Sequence, residues 1–370
     1  MIFALLVIID LFLIMSFAFV PYVTRKTELF GVTFQAEKTN EPQLVRLRAS
    51  YRNQMLLGGV ALVVSSVALG LLLGWESVLS VVLWIVVMSL YLLAAFVLYL
   101  PKHRRMKQLK HENGWDAEQA PAVIVADTSL VTKDVVSPAW MLLFPLIIAL
   151  TIAGIVFIWP QVPEQVPLHF DVTGNVDSWA TKGIDAVLPL LVVQAFLAIT
   201  VALCYVMVRV SKRQIDAANP NSTRRQGIRF RRATSAFLIV IGVACQLMIA
   251  IMQIVMLLGS TDVWAILVPG FVLLAVVGVA TYILMFRVGQ GGSRLREPAG
   301  QGARAANVDD DRYWKLGLIY VNPNDPALFV ETRFGVGYTA NLGRPLSWMI
   351  LAGLVVVVVA LVVFAFTVTG

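Results

Sequence analysis

Side chains able to do chemistry are sparse in this sequence, and they cluster. His169, Asp171 and Asp177 share one short polar stretch, 160–185. A histidine beside carboxylates can titrate near neutral pH or hold a metal ion weakly. A zinc centre wants three or four ligands, usually in close pairs, so one histidine with two aspartates falls short. A plainer chemistry is a hydrogen-bonded turn, with Asp171 and Asp177 accepting from backbone N–H groups. The third reading is capture of an extracellular peptide or other external ligand. For that, His169, Asp171, Gly174, Asp177, Trp179 and Lys182 are the candidate contacts. No metal and no cofactor is expected.

Asp10 is a different kind of candidate. It lies inside an apolar run, and no Lys or Arg lies inside any such run to neutralise it. A carboxyl in that setting is protonated, hydrogen-bonded across helices, or turned to a hydrated cavity. Glu76, Asp185 and Asp262 stand at the outer ends of other runs, so all four carboxylates fall in one half of the protein. Gln194, Gln246 and Gln253 are the remaining polar groups of interest within the runs, and hydrogen bonds between helices account for them. The chain has no His-Glu-x-x-His, no Gly-x-Ser-x-Gly and no Ser/Lys dyad. Nor does it show the paired interrupted helices that point to a secondary transporter. These gaps argue against an enzyme without settling the class.

The elements that must position these groups follow from composition. Of 370 residues, 59% are hydrophobic and only 14% charged, where a soluble domain carries about 25% charged residues. An ordinary soluble enzyme, a disordered chain and a disulfide scaffold are excluded. Cys204 and Cys245 sit in apolar runs and read as small hydrophobes. Eight runs reach the ~20 residues a spanning helix needs: 2–22, 55–73, 78–100, 140–159, 186–208, 236–258, 263–286 and 346–368. The first has no basic lead-in and no small-residue cleavage site, so it reads as a retained span. Lys and Arg in the successive connections number 6, 0, 6, 1, 8, 0 and 8. Basic residues stay on the cytoplasmic side. That leaves Lys182 alone outside and puts both termini outside.

The expected fold class is an all-α polytopic membrane protein with about eight transmembrane helices, a small outer hairpin cap and a small cytoplasmic β unit. The bacterial inner membrane is its expected place. Its +7 charge faces anionic membrane lipids, where each basic residue contributes roughly 1 kcal/mol. The basic stretches 102–110 and 224–232 would meet lipid or a cytoplasmic regulator protein; nucleic acid is not an expected partner. Linear organisation reads as an N-terminal three-span region, 1–137, a membrane domain with the outer loop, 138–210, and a two-span hairpin with basic lead-in, 211–288. A flexible glycine-rich linker, 289–308, a cytoplasmic β unit, 309–345, and the last helix, 346–370, complete it.

In the outer loop, Val166, Leu168, Phe170 and Val172 alternate with polar or proline positions, and Gly174-Asn175 is a turn signal. In the cytoplasmic unit, 316–321, 328–332 and 336–340 are strand candidates around a turn at 322–326. That unit is too small for a core of its own and must lean on another segment. Phe30-Gly31-Val32-x-Phe34 and Phe334-Gly335-Val336-x-Tyr338 share a pattern, so the two strings are expected in one sheet.

The string Pro167-x-His169-x-x-x-x-Gly174-x-x-Asp177-x-Trp179-x-x-Lys182 following a span resembles the membrane domain of SdpI-type immunity proteins, which protect bacteria from a secreted toxin peptide. Two further strings resemble longer members of that group. One is Pro21-Tyr-x-Thr24-Arg25 through Phe30-Gly31-Val32. The other is Asp311-Arg-x-Trp314-x-x-Gly317-x-x-Tyr320-x-Asn322-Pro323-x-Asp325-Pro326, continuing through Arg333 and Gly335 to Gly343-Arg344-Pro345, and it resembles a second domain of unknown function. The resemblance implies toxin immunity or signalling, with the outer loop sensing or neutralising an extracellular peptide or envelope stress. The alternatives are a transporter or export accessory using the outer-half carboxylates, and a membrane metalloenzyme centred near His169.

Overall fold

The computed structural model describes residues 2–74, 77–115, 134–171, 175–212, 220–295 and 311–369. Among the described residues, six helices are long and apolar enough to cross a membrane: Pro42–Leu73, Val78–Glu112, Pro138–Gln161, Ile184–Val210, Ser222–Leu257 and Leu267–Gly292. The chain is a multi-pass integral membrane protein. Two shorter apolar stretches, Leu5–Ala18 and Pro345–Ala360, lie in the helices that occupy the first and last runs expected from sequence.

The chain folds into two compact units that do not follow linear order. Unit 1 joins residues 1–135, 208–234 and 282–348. Its frame is three helices, α1 (Ile2–Ala18), α3 (Pro42–Leu73) and α4 (Val78–Glu112). Each packs through one stripe. On α1 the buried stripe is Leu6, Asp10, Ile14 and Ala18, one residue per turn. On α3 it runs Tyr51, Met55, Gly59, Leu62, Ser66, Gly70, and on α4 Trp84, Tyr91, Ala95, Tyr99, His103. Gly59 lets α1 approach: a Cβ there would lie 2.7 Å from Ile14 Cγ1. Helix α1 stops at Ala18 because Pro21 has no N–H to continue it, and the chain restarts as the short turn α2 (Val20–Val23).

Three hairpins cap this frame. Strands β1 (Glu28–Leu29) and β2 (Val32–Thr33) pair antiparallel, as do β5 (Trp314–Lys315) with β6 (Ile319–Tyr320) and β7 (Phe329–Glu331) with β8 (Tyr338–Ala340). The expected shared sheet of the two Phe-Gly-Val strings does not form, since each lies in a separate two-stranded sheet. Phe30 and Gly31 are the turn of their hairpin, at φ 46° and 74°. What the two strings share is a ring contact: Phe30 and Phe334 stack with centroids 5.8 Å apart. The strand expected over 316–321 is likewise broken, because Leu316 and Gly317 take φ 52° and 69° and turn the chain. The first residues of the expected linker are ordered. Gln290 is fully buried, and its side chain accepts from Gly337 N at 2.8 Å and donates to Gly337 O at 3.1 Å. Residues 296–308 lie outside the described residues.

Unit 2 joins residues 136–207, 235–281 and 349–370. Helix α5 (Leu143–Ile158) leads into a hairpin of β3 (Gln165–Phe170) and β4 (Val176–Thr181), and α6 (Ile184–Val210) follows. The strand pair expected from the alternating outer loop is therefore present. Helix α7 (Pro220–Leu257) begins in unit 1 and ends in unit 2, followed by α8 (Val263–Tyr282) and α9 (Pro345–Thr369).

Candidate functional site

The β3–β4 hairpin has two unlike faces. Val166 and Ala180 turn inward, onto Ile155, Val162, Ala186 and Leu257. His169, Asp177, Trp179 and Thr181 turn outward, and Trp179 remains 49% exposed. This split is the period-2 alternation of a half-buried strand. His169 Nδ1 and Asp177 Oδ1 are 2.6 Å apart, in a pair open to solvent. The register shifts on either side of His169, beside Pro167, which has no N–H to give the ladder.

The other predicted contacts hold the hairpin rather than face outward. Asp171 accepts from Asn175 N at 2.9 Å and donates its own N–H to Asn175 O at 2.8 Å, closing the turn. Lys182 clamps the base: its Nζ donates to Val162 O at 2.9 Å and lies 5.3 Å from the Trp159 ring centroid. Gly174 lies outside the described residues. Among the described residues no group of three His, Cys, Asp or Glu side chains is placed to hold a metal ion.

Asp10 is fully buried and ties three helices together. Ser66 Oγ on α3 donates to its Oδ2 at 2.7 Å, and Trp84 Nε1 on α4 donates to its Oδ1 at 3.1 Å. Of the three environments open to it from sequence, the one observed is hydrogen bonding across helices.

The sequence candidates of the hairpin cluster meet in a buried charge network. Arg333 is 1% exposed and donates to Asp311 and to Gly31 O, with its guanidinium 4.9 Å from the Trp314 ring centroid. Lys110 donates to Asp311 at 2.8 Å, and Thr33 donates to the same carboxyl through N and Oγ1. Burial pushes the Asp311 carboxyl up, but Arg333 and Lys110 outweigh it and hold it below its ordinary range. Asp325 is lowered in the same way, against its burial, by Lys212, the Ala327 N–H and Tyr320. Arg25 pairs with Glu331 and Arg231 with Asp134. Gly335 sits in the loop after Arg333 at φ 97°, which glycine tolerates best.

Asn341 was not legible as a site residue. It is fully buried and its amide reaches five backbone groups: the N–H of Asn322 and Gly343, and the carbonyls of Asn322, Asp325 and Ala327. Its one sequence signal was a turn-forming Asn between a strand and Gly343. Tyr99 was missed too. Its hydroxyl lies 3.0 Å from Phe30 O and 2.7 Å from Leu316 O, bridging two turns.

Family comparisons fall on two of these places. None of the curated proteins and no solved structure matches the chain. Residues 146–193, which contain the β3–β4 hairpin, match the model of a domain of unknown function (DUF1648). Residues 323–348, which contain Asp325, Arg333 and Asn341, match that of a family of unknown function (DUF5808). The chain is thus an integral membrane protein carrying stretches similar to two domains of unknown function.

Proposed function

We propose that this is a bacterial inner-membrane protein of the toxin-immunity and signalling type, with the β3–β4 hairpin on the outer side as its receptor for an extracellular peptide. One observation carries the reading. The hairpin is anchored through its inner face and the Lys182 clamp, while its outer face presents a solvent-open His–carboxylate pair beside a half-exposed tryptophan. An anchored two-stranded sheet also has free edges, to which an extended peptide can add as a strand. The charge alternation supports eight spans with both termini outside, which puts the hairpin cluster of unit 1 in the cytoplasm, where it would meet lipid headgroups or a regulator.

The test is loss of function without loss of protein. His169→Ala, Asp177→Asn and Trp179→Ala should abolish peptide protection or signalling while the protein accumulates normally in the membrane. Three active variants would reduce the hairpin to a connector. Reporter fusions after Val176 and Gly370 should score outside, and those after Gln108, Ser222 and Ala303 inside. An outside score at Ala303 would overturn the span count.

A further inference from the structure

Unit 2 buries glutamines that its described helices satisfy only in part. Gln194, on α6, is fully buried, and neither its Oε1 nor its Nε2 has a hydrogen-bond partner among the described residues. Gln246 and Gln253, on α7, are 0% and 1% exposed; each donates its amide, to Phe144 O and to Val187 O, and each leaves Oε1 unmatched. Among the described residues these are three acceptors and one donor without partners inside an apolar unit, where an unmatched polar group is costly. The expected hydrogen bonds between helices satisfy only two of the six amide atoms of these glutamines.

The groups converge. Gln253 reaches Val187, and Gly242 packs against Val201, so α6 and α7 run antiparallel. Gln194, seven residues beyond Val187, is then level with Gln246, seven before Gln253. Helix α5 runs along α7 in parallel, with Phe144 at Gln246 and Gly154 at Ile254. That sets Thr151, the buried polar side chain of α5, at a level between the two α7 glutamines. Three helices thus bring four uncharged polar side chains to neighbouring levels of the interior, and Thr151, whose hydroxyl donates to Ile147 O at 2.8 Å, keeps its oxygen free to accept.

We propose that Gln194, Gln246, Gln253 and Thr151 form an intramembrane site for a small neutral hydrogen-bonding guest, namely a short chain of water. Three amide oxygens would accept from it, and the Gln194 amide would donate to it. Water is the guest that can give and take hydrogen bonds at every position, and bound water typically makes two to four bonds to groups of this kind. The site is separate from the outer hairpin and does not depend on peptide recognition.

Radiolytic footprinting of the full chain in lipid nanodiscs, with rapid mixing into ¹⁸O-water, reads the guest directly. Expected is oxidation at buried Phe144 and Ile147 with slow uptake of ¹⁸O, against fast uptake at exposed Trp179. The triple change Gln194→Leu, Gln246→Leu and Gln253→Leu should reduce Phe144 labelling several-fold and leave Trp179 labelling unchanged. If the triple variant does not accumulate, Gln194→Leu alone should give the same direction with a smaller drop. Wild-type labelling at Phe144 no higher than in the leucine variant, or ¹⁸O uptake there as fast as at Trp179, overturns the proposal: the first means a dry interior, the second an open surface.

Discussion

Gly31 and Gly317 meet backbone to backbone: a Cβ built on Gly31 would lie 2.4 Å from the Gly317 Cα. Two turns, each formed by a large apolar residue and a glycine at positive φ, touch at their tips. Phe30 and Leu316 are unusual in that conformation, which is left to glycine, asparagine or aspartate in most turns. Their strain is held by the contact itself and by the Tyr99 hydroxyl between their carbonyls.

Gly31→Ala and Gly317→Ala should each destabilise unit 1 by about 2–4 kcal/mol, combining a side chain at positive φ with overpacking against backbone. Thermal unfolding in detergent would show a lowered midpoint. An unchanged midpoint in both variants would mean that the two turns separate freely.

Removing Asp311 should cost unit 1 its central carboxylate. Asp311→Ala leaves Arg333 buried without its carboxylate, a loss of about 3–5 kcal/mol. The acid response follows from linkage. The folded carboxyl titrates below its unfolded value of about 3.9, so its contribution is fully present above that pH and fades as pH falls through the lower folded value. A denaturant series from neutral to acid pH should show a shallower slope in Asp311→Asn than in the parent.

Asp10→Asn should accumulate and unfold much as the parent does, since an amide can still accept from Trp84 and bond Ser66. Asp10→Leu leaves the Trp84 N–H buried and unmatched, at a cost of about 1–3 kcal/mol. A proton-coupled transporter would lose activity in the asparagine variant, because an amide does not titrate. Retained activity there removes the main sequence argument for transport.

Asn341→Leu should be among the most damaging single changes outside the spans, by about 2–5 kcal/mol, because the N–H of Asn322 is left buried alongside unmatched carbonyls. Limited proteolysis within 311–345 would report it. By contrast His169→Ala should change stability by less than about 1 kcal/mol, as for exposed surface substitutions generally, so any large functional loss in that variant is not a folding defect.

Helices were legible wherever apolar length decided them, and the β3–β4 hairpin was legible from its alternation and turn. Where polar side chains decided the outcome, the sequence was weaker. Helix α4 continues to Glu112, past the apolar run that ends near Leu100, because His103, Met106, Leu109 and Lys110 still find buried partners in the hairpin cluster. Phe30 and Leu316 look like strand residues and are turn residues, since tertiary contact overrides the local preference of a large apolar side chain. The Asp311–Arg333 and Asp311–Lys110 pairs join positions too far apart in sequence for any spacing rule to connect them.

Unit 1 also imposes an order on synthesis. Chains are made from the N-terminus, so Tyr99, Lys110 and the Phe30-Gly31 turn are in place long before their partners Leu316, Asp311 and Phe334 leave the ribosome. Through that interval helices α1, α3 and α4 carry a surface of aromatic rings that is still missing its later partners. A product stopped short of Asp311 keeps that surface permanently. Completion of the chain therefore shows on the protein as the covering of one patch, by Leu316 over Tyr99 and Phe334 over Phe30.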